Sequence, residues 1–96
     1  MRPAELLAQR RADILALASR HGATTIRVFG SVARGEDDEN SDIDFLVELE
    51  EGRSLLDLGG LLVELRELLD HPVDVVTVGG LKERIRTRVL AEAVSL

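Results

Sequence analysis

Three short segments rich in β-branched residues alternate with stretches of helical periodicity, and this alternation limits the fold more than any other feature. Thr24–Phe29, Asp42–Leu49 and Val73–Val78 predict three strands. Apolar residues at helical spacing predict a first helix that ends near Arg20, a leucine-rich helix between the second and third strands, and a last helix over Leu81–Ser95. The resulting order predicts an α/β (α+β) fold, in which a small three-stranded mixed sheet is backed by helices.

Local signals mark the ends of the leucine-rich helix. Ser54, followed by Asp57 three residues later, resembles a capping box, and Pro72 predicts that the helix has ended before it. The pair Gly59-Gly60 costs this helix about 1 kcal/mol per glycine relative to alanine, unless another group packs closely against it.

Composition narrows the class of protein. The chain has 96 residues, of which 45% are hydrophobic, so we expect a single domain over residues 1–96 with a folded core. The net charge of −6 argues against direct nucleic-acid binding, which uses several Lys and Arg side chains to neutralise phosphates. Without cysteine, a membrane-spanning apolar run or a signal peptide, the sequence predicts a soluble cytoplasmic protein that does not bind membranes.

Two acidic residues on the second predicted strand indicate a metal site. Asp42 and Asp44 are two residues apart, so their side chains are expected on the same face of the sheet. Two neighbouring carboxylates resist joint ionisation, and a cation between them removes that cost. Mg²⁺ fits oxygen ligands, whereas the absence of cysteine leaves little for zinc.

The third strand adds one acid to an apolar run. If the second and third strands are neighbours, Asp74 can join Asp42 and Asp44. Three such carboxylates can hold two metal ions about 4 Å apart, an arrangement that suits an in-line displacement at phosphorus.

A short glycine-containing turn precedes the acids and suits phosphate binding. Gly30-Ser31 follows the first strand directly, where backbone N–H groups and the Ser31 hydroxyl can donate to phosphate oxygens. Arg34 follows three residues later, and its planar guanidinium suits phosphate geometry.

These residues together resemble a known family. Gly30-Ser31, ten intervening residues, and then Asp42-x-Asp44 is similar to the signature of the nucleotidyltransferase superfamily that includes DNA polymerase β. The wider sequence, Gly-Ser-Val-Ala-Arg-Gly-Glu before Ser-Asp-Ile-Asp-Phe-Leu-Val, looks like the minimal nucleotidyltransferases, and the likeness runs from the first helix to the last.

The resemblance implies a fold, an activity and a partner. It implies a polymerase β-like palm fold and transfer of AMP from ATP with two Mg²⁺ ions. Many family members are antitoxins of HEPN-domain ribonuclease toxins, in several cases adenylylating a toxin tyrosine. Carried over, Asp42, Asp44 and Asp74 are metal ligands, with Asp74 also a base for the acceptor hydroxyl. Gly30 and Ser31 would hold the triphosphate, with Arg34 a weaker candidate.

Simpler interpretations of single residues stay open. Asp74 can face water on an edge strand, and Ser31 can be a helix N-cap. Arg34 can pair with the acidic residues of Glu36–Glu39, a segment that itself is typical of a solvated loop.

Two alternative functions also stay open. The acceptor can be a small molecule, although the relatives that use one carry an extra domain. The chain can instead be a binding antitoxin that occludes its toxin without chemistry.

Overall fold

The computed structural model describes residues 1–96, in which four α-helices surround one four-stranded sheet. The helices are α1 (Pro3–Gln9), α2 (Arg11–Arg20), α3 (Leu55–Leu69) and α4 (Glu83–Glu92). The strands are β1 (Ala23–Phe29), β2 (Ile43–Leu49), β3 (Val73–Thr77) and β4 (Val94–Ser95), and a single 3-10 turn covers Val78–Gly80. None of the helices is both long enough and apolar enough to cross a membrane.

The sheet is mixed, as predicted, with the spatial order β3-β2-β1-β4. β1 runs antiparallel to β2, β2 runs parallel to β3, and α3 provides the crossover between the parallel strands. The connection between β1 and β2 is the segment from Gly30 to Asp42, which contains the glycine turn.

The predicted strand count of three was wrong, because the last helix is shorter than predicted. The helix ends at Glu92, and Ala93 has extended backbone angles (φ −64°, ψ 136°). Val94 and Ser95 then pair with Val28 and Arg27 on the outer edge of β1. The edge of β1 offers hydrogen-bonding groups that a further helical turn would have left unpaired.

The first predicted helix is two helices. The backbone of Arg10 leaves the helical region (φ −105°, ψ 15°), so α1 ends and α2 begins there. The apolar residues that predicted the helix, Leu7, Ile14, Leu17 and Ala18, nevertheless face the core. Leu7, Ile14 and Ala18 are buried, and Leu17 is half-buried.

Helices cover the two faces of the sheet unequally. α1, α2 and α3 pack on one face, around strand residues at alternate positions that include Phe45, which is completely buried. A smaller cluster on the other face joins Leu46 to Leu81 and Val89, so α4 and the segment just before it cover that face. The three-helix face buries 13 hydrophobic residues and the other face three. Because a side chain the size of Phe45 contributes about 2–3 kcal/mol when buried, most of the core energy lies on the three-helix face. Part of the other face, around Asp74, remains exposed to solvent.

The signals around α3 are confirmed. Ser54 and Asp57 form the predicted capping box, with each side chain accepting from the other residue's backbone N–H. A Cβ on Gly60 would lie 2.9 Å from Cε1 of His21, so the imidazole packs directly on this glycine. His21 also contacts Glu64 on the same helix at 2.7 Å. Close packing of α2 on α3 therefore accounts for a glycine that helix propensity alone disfavours.

The acidic loop is only partly solvated, which corrects the prediction for one of its residues. Asp37 is 4% exposed, and its side chain accepts a hydrogen bond from the N–H of Ala4 at 3.1 Å. Arg2 donates to the Asp37 carbonyl at 2.7 Å. Asp37 thus satisfies an N–H in the first turn of α1 and fastens that helix to the loop.

Candidate active site

The pairing of β1, β2 and β3 places two of the predicted site residues side by side. Phe29 is the register partner of Asp44, and Asp44 is the partner of Asp74. The condition that β2 and β3 be neighbours is therefore met. Register partners point to the same face, so Asp44 and Asp74 share the face that α4 covers only in part.

Asp42 lies one residue before β2 and is exposed. It stands two positions from Asp44, and its charge acts on that carboxylate. No set of three acidic or histidine side chains converges closely enough to form a complete metal site by geometry alone. The structure thus brings Asp44 and Asp74 together and leaves Asp42 at the rim.

Asp44 is in an environment that disfavours its ionised form. Burial is the largest cause that raises the pKa of Asp44, and the charges of Asp74 and Asp42 raise it further. Arg34 acts in the opposite direction. The carboxylate oxygens and their excess of negative charge fit a hard divalent cation such as Mg²⁺, which would relieve both the burial cost and the repulsion.

Gly30 contacts the same carboxylate. Its φ of +74° lies in the left-handed region, and a Cβ built on it would lie 2.4 Å from Oδ2 of Asp44. A side chain here would therefore strain the backbone and displace Asp44. Glycine is required at this position by two independent constraints.

The residues after Gly30 form a compact turn. The N–H of Arg34 donates to the Gly30 carbonyl at 3.1 Å, and the N–H of Glu36 donates to the Ser31 carbonyl at 2.9 Å. No helix begins here, so Ser31 caps none. Its partly exposed side chain stands beside Gly30 at the end of β1.

Arg34 makes the structural contacts that its simpler interpretation predicts. Its Nε donates to Glu36 at 2.9 Å, and Nη1 donates to Glu92 at 3.2 and 3.3 Å. The guanidinium still lies on the turn, with 44% of the side chain exposed.

Glu92 is a site residue that sequence reasoning missed. It is the last residue of α4, its side chain is 17% exposed, and Oε1 accepts from the N–H of Gly30 at 3.0 Å. Burial raises the pKa of Glu92, but the bonds from Gly30 and Arg34 outweigh it, so this pKa lies below its usual value. No local signal marks Glu92, because it is one of several charged residues on a helix far along the chain.

His71 was also missed, since it stands beside a helix end. Its Nε2 contacts the carbonyl of Ser41 at 2.5 Å, immediately before Asp42. The next residue, Pro72, accepts from the N–H of Ile43 at 3.1 Å. These two contacts hold the segment that carries Asp42 against the start of β3.

The face that carries Asp44 and Asp74 is exposed at Asp74, and the one surface pocket of the structure lies elsewhere. A shallow pocket of about 410 Å³ is lined by residues of α2, β1 and β4, and none of the predicted site residues lines it. The candidate site lies at the carboxylates rather than at the pocket, because no acidic, basic or histidine side chain lines the pocket.

The geometry and the comparisons define the class of protein. A mixed sheet with paired carboxylates beside a glycine-serine turn is the arrangement of a nucleotidyltransferase. The chain belongs to the family described as "Nucleotidyltransferase domain", which it matches over residues 13–96.

Its relatives carry a narrower name within this family, that of protein adenylyltransferases. The chain is 46% identical over 83 residues to "Putative protein adenylyltransferase MJ0435" of Methanocaldococcus jannaschii, spanning 86% of this chain and 89% of that protein. It is 46% identical over 78 residues to "Protein adenylyltransferase MntA" of Thermococcus cleftensis, spanning 81% and 79%. The resemblance found in the sequence is thereby confirmed.

Solved structures agree with the fold. One described as "Structure of putative minimal nucleotidyltransferase" has a TM-score of 0.86 and 53% identity, covering 97% of this chain and 95% of that one. Another, "Crystal structure of the toxin-antitoxin with AMP-PNP", has a TM-score of 0.74 and 24% identity, covering 88% and 69%. The second likeness is one of fold.

Proposed function

We propose that this nucleotidyltransferase transfers AMP from Mg-ATP to a protein hydroxyl, a tyrosine of a HEPN-domain ribonuclease toxin, and so acts as its antitoxin. The observation that carries the proposal is the pairing of Asp44 with Asp74 beside the Gly30 turn. Two relatives that are 46% identical to this chain over the aligned 83 and 78 residues are named protein adenylyltransferases, and this supports protein as the acceptor.

Asp42, Asp44 and Asp74 are the residues that would hold two Mg²⁺ ions. When bound, the ions would neutralise the triphosphate and polarise the α-phosphate. The chain itself supplies the fixed carboxylates. Because Asp44 lies against Gly30, the metal-binding group and the phosphate-binding turn are held in one rigid unit.

Phosphate binding falls to the turn after β1. The N–H of Gly30, the hydroxyl of Ser31 and the guanidinium of Arg34 are donors grouped within five residues. They would hold the triphosphate so that the α-phosphorus faces Asp42, Asp44 and Asp74, which together form the acidic row.

The chemical step joins the acceptor oxygen to the α-phosphorus. As that bond forms, the bond from the α-phosphorus to the bridging oxygen breaks, and pyrophosphate leaves with the electron pair. The acceptor proton passes to Asp74, whose side chain is exposed next to Asp44. Positioning of the reactants and electrostatic stabilisation supply most of the rate enhancement.

A folded partner fits this site better than a small acceptor. Asp42 and Asp74 are exposed, and the site lies on an open face rather than in the pocket. The chain contributes no walls that would enclose a small molecule. A solved structure with the same fold is described as a toxin-antitoxin with AMP-PNP, and this supports a toxin as the protein partner.

The decisive experiment is intact-mass spectrometry of a HEPN-domain toxin taken as the candidate partner, after incubation with the chain, ATP and Mg²⁺. We expect one or more adenylyl units on the toxin, lost with the Asp42→Asn, Asp44→Asn double variant. Peptide mapping should place them on tyrosine.

The same experiment separates the alternatives. Suppressed toxin activity with no mass gain, and with the double variant equally effective, would instead establish occlusion. A toxin left both unmodified and active would contradict the antitoxin role. Release of pyrophosphate in the presence of a small hydroxyl compound would then indicate a small acceptor.

A further inference from the structure

The donors that the proposed function assigns to the triphosphate already hold an anion, and that anion belongs to the chain itself. The carboxylate of Glu92 accepts from the N–H of Gly30 at 3.0 Å and from Arg34 at 3.2 and 3.3 Å. Three hydrogen-bond contacts therefore converge on one carboxylate at the end of the glycine turn.

A carboxylate and a phosphate use the same kind of donor. Both accept charge-assisted hydrogen bonds from backbone N–H groups and from guanidinium groups, so the two anions exclude one another at a given donor. The N–H of Gly30 has a single hydrogen, and it points to Oε1 of Glu92.

We propose that Glu92 is an intramolecular competitor of the ATP triphosphate, which must displace this carboxylate from Gly30 and Arg34 in order to bind. The inference rests on the proposed function, because it takes Gly30 and Arg34 as phosphate-binding groups. It assigns Glu92 a role in setting nucleotide affinity, in addition to its place in α4.

The position of Glu92 makes displacement possible. It is the last residue of α4, and Ala93 after it is already extended, so a side-chain rotation there breaks no helical turn. The side chain remains 17% exposed, which leaves it a path toward water. Val94 and Ser95 keep their own pairing with β1 and do not depend on the Glu92 carboxylate.

The opposite role for Glu92 is that of a positioning residue, which would orient Arg34 toward phosphate. The competitor role is favoured because Glu92 occupies Nη1 of Arg34, a donor that a phosphate would itself use, while Glu36 already holds the guanidinium through Nε. The N–H of Gly30 is held by its own backbone and needs no carboxylate to orient it.

The test is isothermal titration calorimetry of the full chain with ATP and Mg²⁺. The variants are Glu92→Gln, which keeps a neutral acceptor for the Gly30 N–H, and Glu92→Ala, which removes it. Glu83→Gln is the matched control, because it removes the same charge from the exposed opposite end of α4. Thermal unfolding of each variant verifies that it is folded.

We expect Glu92→Gln and Glu92→Ala to bind ATP about tenfold more tightly than the wild type, the size of one charge-assisted hydrogen bond. Glu83→Gln should match the wild type. Weaker or unchanged binding by folded Glu92 variants would overturn the competitor role while leaving the proposed function intact. Absence of ATP binding by the wild type and by every variant would overturn both.

Discussion

Replacing Asp44 by Asn should stabilise the protein while abolishing its chemistry. In the sheet, Asp44 stands directly opposite Asp74, and like charges at such positions destabilise by about 0.2–1 kcal/mol. Burial adds to this cost, since it is the largest cause that raises the pKa of Asp44. We therefore expect Asp44→Asn to raise the free energy of unfolding by about 0.5–1 kcal/mol without divalent cation, or about 3–6 °C in Tm.

The stability gain of Asp44→Asn should depend on pH, in a direction set by the raised pKa of Asp44. The folded state holds the Asp44 proton to higher pH than the unfolded state, so wild-type stability falls as pH rises from 3.8 through the raised value. The advantage of Asp44→Asn is then greatest at neutral pH and disappears below pH 3.8. Magnesium should raise the Tm of the wild type and leave that of the variant unchanged.

The assay is thermal unfolding followed by circular dichroism, with EDTA and then with Mg²⁺. Glu51→Gln is the matched control, because it removes one charge from an exposed turn and reports the effect of net charge alone. If Asp44→Asn melted at or below the wild type in EDTA at neutral pH, the reasoning from burial and repulsion would be refuted.

Three further predictions concern the groups around the acidic row. Gly30→Ala should cost about 1–3 kcal/mol in urea unfolding and abolish AMP transfer, because its Cβ would displace the Asp44 carboxylate; wild-type stability would contradict the close approach. Asp37→Ala should lower the free energy of unfolding by about 1–2 kcal/mol, because α1 loses the carboxylate that accepts from the Ala4 N–H, and hydrogen exchange should increase selectively in α1. Exchange that increased uniformly over the chain would contradict this role of Asp37. His71→Ala should lower AMP-transfer turnover about ten- to a hundredfold with a small change in Tm, and an unchanged turnover would show that its contact with the Ser41 carbonyl, in the segment before β2, is only structural.

The three longer strands and the pairing of Asp44 with Asp74 could be predicted because they depend on short-range alternation. Asp44 and Asp74 interrupt apolar segments at single positions, and the period of two decides which face each occupies. Only the adjacency of β2 and β3 had to be assumed, and a single helix between two strands makes the parallel crossover the simplest connection. The capping box of α3 is similarly a local pattern.

The features that were missed depend on contacts between distant segments. β4 has two residues, and its apolar position also fits the helical period of the preceding segment, so only the edge of β1 decides its conformation. The buried state of Asp37 depends on the N-terminus of α1, which is more than thirty positions away. Glu92 depends on Gly30, 62 positions away. A single sequence carries no signal for such pairings.

The pairing of Asp44 with Asp74 also dictates how this chain can change in length. A deletion or insertion of one residue between α3 and β3 that slid the third strand by one position would turn Asp74 toward the packed helices and present Val73 or Val75 to the solvent face. Such a shift would abolish nucleotidyl transfer and would also bury the charge of Asp74 in the core. Length variation among proteins of this architecture should therefore be concentrated in the surface turn over residues 50–53, which changes no register, and be absent from the short connection over residues 70–72.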